Sequence, residues 1–188
     1  KFYTFLDENY PAHRTLLRFT SGEYIGFERV FSVLDTQLMS SGVAGHDWWR
    51  QGQALDVNGV SSHGEAPAGY YFTGGSFTIE AWVYLRSYAY RGRLMEFAAE
   101  GITDLVMIMP SFETGGGPCL EITLGTNAPA MLTSTNAIPL NQWTHLAVVF
   151  AAGANTACIY LNGAPIAEGP MPPPSNVWRT LNTIGCAS

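Results

Sequence analysis

FTIEAWVYL, residues 77–85, is the stretch on which the reading of the fold turns. Phe77, Ile79, Ala81, Val83 and Leu85 fall on one face of an extended chain. Thr78, Glu80, Trp82 and Tyr84 fall on the other. A period of two over nine residues predicts a β-strand with a buried face, because successive side chains of a strand point to opposite sides of the sheet. Downstream, WTHLAVVF at 143–150 sets Thr144, Leu146, Val148 and Phe150 on one side. A short AAGAN connection leads from it to a second strand at 158–161, and Asn162-Gly163 then predicts a tight turn. Asn and Gly both tolerate the positive φ that a two-residue hairpin needs. Residues 105–109 and 119–124 read as further strands split by the breaker GGGP at 115–118, and 55–60 and 69–72 as weaker ones. The prolines of 170–174 predict a loop that cannot be a central strand.

Many short strands, turn chemistry between them and no helical crossover predict an all-β, antiparallel chain. Several strands carry apolar residues on both faces, which predicts a two-sheet sandwich. The length agrees: 188 residues fit one domain with an appendage. Hydrophobic residues make up 47% of the chain and charged residues only 13%, a composition that excludes disorder. The net charge is −6, Lys1 is the only lysine and there is no basic cluster. A phosphate-binding surface for nucleic acid is therefore not expected. The longest apolar run, residues 146–152, is too short to span a bilayer.

Before residue 53 the pattern changes. Phe27, Phe31, Leu34 and Leu38 are spaced for a helix, but Gly26 sits among them and the same stretch also alternates. Residues 23–33 are read as strand, 35–39 as a short turn or helix, and 41–52 as a linker.

Four pieces in order resemble the laminin G-like, or pentraxin-like, jelly roll of the concanavalin A-like sandwiches. They are ALDVNGV at 54–60, FTIEAWVYL at 77–85, WTHLAVVF with CIYLNGAPI at 143–166, and TIGCAS at 183–188. The resemblance implies an antiparallel two-sheet jelly roll over 53–188. Family members usually continue after Ile-Gly with a strand of the type G-x-I-D-E-V-R-I-Y, which this chain lacks at its end. GEYIGFERVFSVLDTQLM at 22–39 is similar to that closing strand. Residues 1–40 are thus expected to be the closing strand and turn of a preceding or of a permuted domain. An unrelated amphipathic appendage is the third reading.

The resemblance also raises the chemistry of glycoside hydrolases, which need two carboxylates flanking one bond. No E-x-D-x-x-E or E-x-x-x-E run lies on a strand. Glu121 is read as standing alone, and Glu96 and Glu100 as straddling a strand end. Glu80 shares a face with Trp82 and Tyr84. It is an acid in an aromatic sugar platform or, as preferred here, the partner of an arginine such as Arg86 or Arg93. His145 is read as structural, and no G-x-S-x-G or Cys/His arrangement offers a nucleophile. No enzymatic activity is expected. Calcium is the cofactor that the resemblance implies, yet Asp56, Asn58, Asp104 and Glu113 are the only donors near strand ends and form no D-x-D cluster, so no ligand is assigned. Three cysteines leave either one bridge and a free thiol or three free thiols. If a bridge forms, Cys158 with Cys186 is the expected pair.

Tyr70, Tyr71, Tyr84, Tyr88 and Tyr90 cluster in sequence with Arg86, Arg91 and Arg93. Tyr and Arg are enriched at binding hot spots. Tyr84, Arg86, Tyr88 and Tyr90 are accordingly the expected ligand-binding residues. The resemblance implies a recognition or structural module of a larger extracellular or cell-surface protein, contacting protein or glycan. The alternative is an ancillary or degenerate carbohydrate-active domain.

Overall fold

In the computed structural model of the chain, residue 57 and residues 63–185 are described in full, together with the backbone of six short strands between residues 2 and 56. The strands run in chain order as β1 (Phe2–Phe5), β2 (Arg14–Leu17), β3 (Thr20–Ser21), β4 (Ser32–Leu34), β5 (Gln37–Ser40), β6 (Gln53–Asp56), β7 (His63–Glu65), β8 (Gly69–Tyr70) and β9 (Phe77–Tyr84). They continue as β10 (Met95–Ala99), β11 (Thr103–Met109), β12 (Cys119–Ile122), β13 (Ala130–Thr133), β14 (Trp143–Ala151), β15 (Thr156–Leu161), β16 (Ala164–Pro170), β17 (Trp178–Arg179) and β18 (Leu181–Ile184). The helical content described is a single 3-10 turn, Glu100–Ile102.

Two sheets form the sandwich. The larger has seven strands in the order β13-β12-β11-β10-β18-β7-β4, and the smaller has five in the order β16-β15-β14-β9-β3. Every ladder between named strands is antiparallel. The expected fold class is therefore the observed one. The alternation of 77–85 does its work in β9, where Phe77, Ile79, Ala81 and Val83 are buried and the residues between them are less so. With Leu146, Val148, Phe150 and Ile159 they meet Met95, Phe97, Val106, Ile108, Leu120 and Ile122 of the larger sheet. This layer is the main core, where truncating one large side chain to Ala costs about 3–5 kcal/mol. The Asn162-Gly163 turn forms as expected, with φ of 50° and 82°.

Two readings need correction, and a third holds: the strand end read at 98–101 is observed, with Glu96 inside β10 and Glu100 in the 3-10 turn after it. Residues 37–40 form strand β5, paired with β6 in register Leu38 to Leu55, and not a turn or helix. Cys158 is a free thiol on the outer side of the five-stranded sheet, so it does not pair with Cys186, which lies outside the described residues. Of the expected strand at 23–33, residues 23–31 lie outside the described residues. The next three, Ser32–Leu34, pair with β7 at the edge of the larger sheet. The linker at 41–52 also lies outside them.

The outer face of the larger sheet is buried as well. Ala98, Leu105, Met107, Met109 and Cys119 form a second apolar cluster there, with Phe112, Met131 and Leu181 against it. Burial pushes the Cys119 thiol up to about 12. The edge strands β16 and β13 of the two sheets approach each other on one side. Ser134 Oγ donates to Ile166 O at 3.2 Å, and a Cβ on Gly169 would lie 3.3 Å from Leu132 Cδ1.

Candidate functional site

The outward face of β9 and β14 is built by the same alternation that builds the core. If Ile79, Ala81 and Val83 point in, Glu80, Trp82 and Tyr84 must point out. The antiparallel register sets Tyr84 opposite Trp143, Trp82 opposite His145, and Glu80 opposite Ala147, with Tyr160 of β15 next in that row. Cross-strand neighbours on one face are near enough for aromatic side chains to touch. Tyr84 and Trp143 have ring centroids 5.6 Å apart, and Trp82 and His145 have theirs 5.3 Å apart, both pairs tilted by about 60°. Trp82 is 57% and Tyr84 38% exposed, so the rings line a surface that faces water.

Polar groups are fixed among these rings. His145 Nε2 lies 3.5 Å from Glu80 Oε2. The backbone of His145 is clamped by the hairpin turn: its N–H donates to Asn162 Oδ1 at 2.9 Å, and its carbonyl accepts from Asn162 N–H at 2.8 Å. Next along the sheet, a hydrogen bond with Cys158 pushes the Tyr160 phenol above its usual range. His145 is thus a polar neighbour of Glu80 on this face, whereas Arg93 pairs with Glu96 on the other sheet. The surface offers flat aromatic faces beside a carboxylate, an imidazole and a phenol. Such a set can stack on the C–H faces of a sugar ring and hydrogen-bond its hydroxyls.

The four residues singled out in the sequence do not share one surface. Tyr84 belongs to the aromatic face. Arg86 is exposed just past the end of β9. Tyr88 is half-buried in the connection to β10, its hydroxyl donating to Ile138 O at 2.9 Å and its ring lying where a Cβ on Gly116 would be. Tyr90 is 70% exposed in the same connection, which is bound to the larger sheet through Arg91 N–H to Phe112 O and Gly92 N–H to Ser111 O. Trp143 and His145 were not among the expected binding residues. Their signal was present in WTHLAVVF, whose odd positions face opposite to its apolar ones.

The larger sheet holds a feature that sequence spacing could not show. Register brings Glu96, Met107 and Glu121 into one row across β10, β11 and β12. The two carboxylates thus share the outer face, two strand spacings or about 10 Å apart at the backbone. Both are buried, and each is covered by an arginine: Arg91 Nη2 reaches Glu121 Oε2 at 2.6 Å, and Arg93 Nε donates to Glu96. Among the described residues, no three His, Cys, Asp or Glu side chains converge as a metal site would require. Asp104, one of the calcium donors considered, accepts from Gly125 N–H at 2.9 Å. A hydrogen bond with Ser175, more than Gly125 and Arg179, holds its carboxyl below the usual range. No helix among the described residues is long and apolar enough to cross a membrane.

Comparison with known proteins gives the fold a family. A laminin G-type family model, described as the concanavalin A-like lectin/glucanases superfamily, matches residues 58–188, more than half of the chain. No curated protein matches the sequence. Among solved structures, the chain is similar to domain 4 of AbnA, a GH43 extracellular arabinanase from Geobacillus stearothermophilus, in complex with arabinotriose. The identity is 16% and the TM-score 0.66, over 91% of this chain and 84% of that one. A heptameric SAP-like pentraxin from Limulus polyphemus aligns at 13% identity and a TM-score of 0.47, over 63% of this chain and 54% of that one. A Bacteroides ovatus protein aligns at 18% identity and a TM-score of 0.43, over 63% of this chain and 33% of that one. The strand order, the buried faces and the family match agree: the chain belongs to the concanavalin A-like lectin/glucanases superfamily.

Proposed function

We propose that the chain is a non-catalytic recognition module of a larger extracellular or cell-surface protein, and that it binds neutral glycan chains on the outer face of β9 and β14. The observation that carries this reading is the exposed aromatic face with Glu80 and His145 fixed between its rings. Rigid aromatic rings in water forgo burial, and their stacking surface becomes available to a ligand. The absence of any basic cluster and the net charge of −6 favour an uncharged partner. The arabinanase domain of the same fold was captured with arabinotriose, so arabino-oligosaccharides are the first probes to apply.

The alternative, a carbohydrate-active domain, draws on the Glu96–Glu121 row. The arginines weigh against it. A general acid or nucleophile must be free to touch substrate, whereas both carboxylates are sealed under ion pairs.

Calorimetric titration of the full chain with arabino-, xylo-, cello- and malto-oligosaccharides tests the reading. At least one series should bind. Trp82→Ala and Trp143→Ala should each weaken binding at this face at least tenfold, a loss of about 1.4 kcal/mol, with the melting temperature retained. Turnover of any of these oligosaccharides that disappears in Glu121→Gln or Glu96→Gln would replace this reading with the enzymatic one.

A further inference from the structure

Two further exposed aromatic rings lie away from the first face. Tyr70 of β8 and Trp178 of β17 are 50% and 52% exposed, and their rings meet edge to face at 5.3 Å. They stand opposite each other on a two-stranded ribbon of four residues. A ribbon this short has no stability of its own. Its order is imposed from beneath by Arg179.

The Arg179 side chain is fully buried. Nη2 donates to Asp104 O at 2.9 Å, and Nη1 donates to Ser175 O at 3.1 Å and Val177 O at 3.4 Å. Its guanidinium also lies over the Phe72 ring, 4.8 Å from the centroid. Asn182 ties the ribbon from the other side, donating through Nδ2 to Arg179 O and Pro67 O, both at 3.1 Å. Burying a cation is costly, and a well-packed apolar residue would often serve stability as well or better. What the arginine does that an apolar residue cannot is tie two loop carbonyls, of Ser175 and Val177, to the Asp104 carbonyl of β11.

We propose that this braced ribbon is a second carbohydrate-stacking site, with Trp178 as its floor and Tyr70 as its wall. It goes beyond the first site, sharing that site's ligand class and none of its residues. Size selects the occupant. Two half-exposed rings offer roughly 200 Å², far short of the about 800 Å² per partner of a stable protein interface but well matched to one or two sugar rings. Charge selects against polyanions. Among the described residues, the cation beneath the ribbon is sealed and committed to carbonyls, and the carboxyl of the neighbouring Asp104 is held below its usual range. Asn176 and Thr180, both exposed, flank Trp178 and can hydrogen-bond hydroxyls. A domain with two such sites binds a polymer bivalently, with avidity above that of either site alone.

The test is calorimetric titration of the full chain with the same four oligosaccharide series. Wild type should bind two equivalents. Trp82→Ala/Trp143→Ala should bind one. Adding either Trp178→Ala or Tyr70→Ala, which sit on opposite strands, should remove the remainder by at least tenfold, with far-UV circular dichroism unchanged as the check on folding. If the Trp82→Ala/Trp143→Ala chain binds nothing, the first site stands and the second is wrong. If Trp178→Ala alone abolishes all binding while Trp82→Ala has no effect, the second stands and the first is wrong. Failure of every series to bind, or self-association that Trp178→Ala abolishes in place of glycan binding, overturns the second site.

Discussion

Asp104 shows how much a single residue's role depends on what the chain brings to it. In the sequence it is a free carboxylate near a strand end, one of four possible calcium donors. In the structure its oxygens are taken by Ser175 and the Gly125 N–H, its own carbonyl by Arg179, and its φ is 50°. None of these partners is within twenty residues in sequence, so no local pattern could announce them. The shift has a consequence for stability. A carboxyl whose pKa is lower folded than unfolded stabilises the fold above its unfolded value, ordinarily about 3.8, and that contribution is lost as pH falls through the lower folded value. Denaturation midpoints of the wild type should therefore fall between about pH 5 and pH 2. In Asp104→Asn that decline should be shallower, and the two curves should converge at the acid end. Parallel curves would mean that Asp104 takes no part in the acid response.

At the scale of elements, legibility followed exposure of one face. β9 and β14 alternate because one side meets the core and the other meets water, and both were read from sequence near their observed ends. β10 was missed. All but the last of its residues are buried, since both faces of the larger sheet are covered, and a strand without a wet face has no period of two. β16 was missed for the opposite reason: at the edge, APIAEGP needs few apolar residues and tolerates Pro165 and Pro170. The same blindness hid the Glu96–Met107–Glu121 row, which is made by register between strands and has no spacing in sequence. That row yields a prediction. Glu121→Ala leaves Arg91 without its carboxylate over a buried face, and unfolding in urea should show a loss of about 3 kcal/mol. Arg91→Met/Glu121→Met, which removes both charges and keeps volume, should lose much less. Equal losses in the two variants would show that packing, and not the unpaired charge, sets the cost.

At the scale of the molecule, we propose that residues 1–40 complete this sandwich as a permuted closing segment. Support comes from Ser32–Leu34, which pairs with β7 at the edge of the larger sheet, and Thr20–Ser21, which pairs with β9 at the edge of the smaller. A sandwich stripped of both strands would expose edges and core positions that water penalises. Residues 53–188 made alone should therefore unfold at a lower urea concentration than the full chain, or associate. Equal midpoints with a monomeric fragment would make the N-terminal stretch an appendage. On the far side of the molecule, the seam between β16 and β13 has a consequence for life at high local concentration. The outermost strand of the smaller sheet carries two residues with no backbone N–H, Pro165 and Pro170, and Ser134 already occupies the carbonyl of Ile166. An incoming strand from another molecule finds donors missing and an acceptor taken, so edge-to-edge growth into cross-β fibrils is blocked there. A module displayed in many copies along a polymer can thus crowd without its sheets fusing.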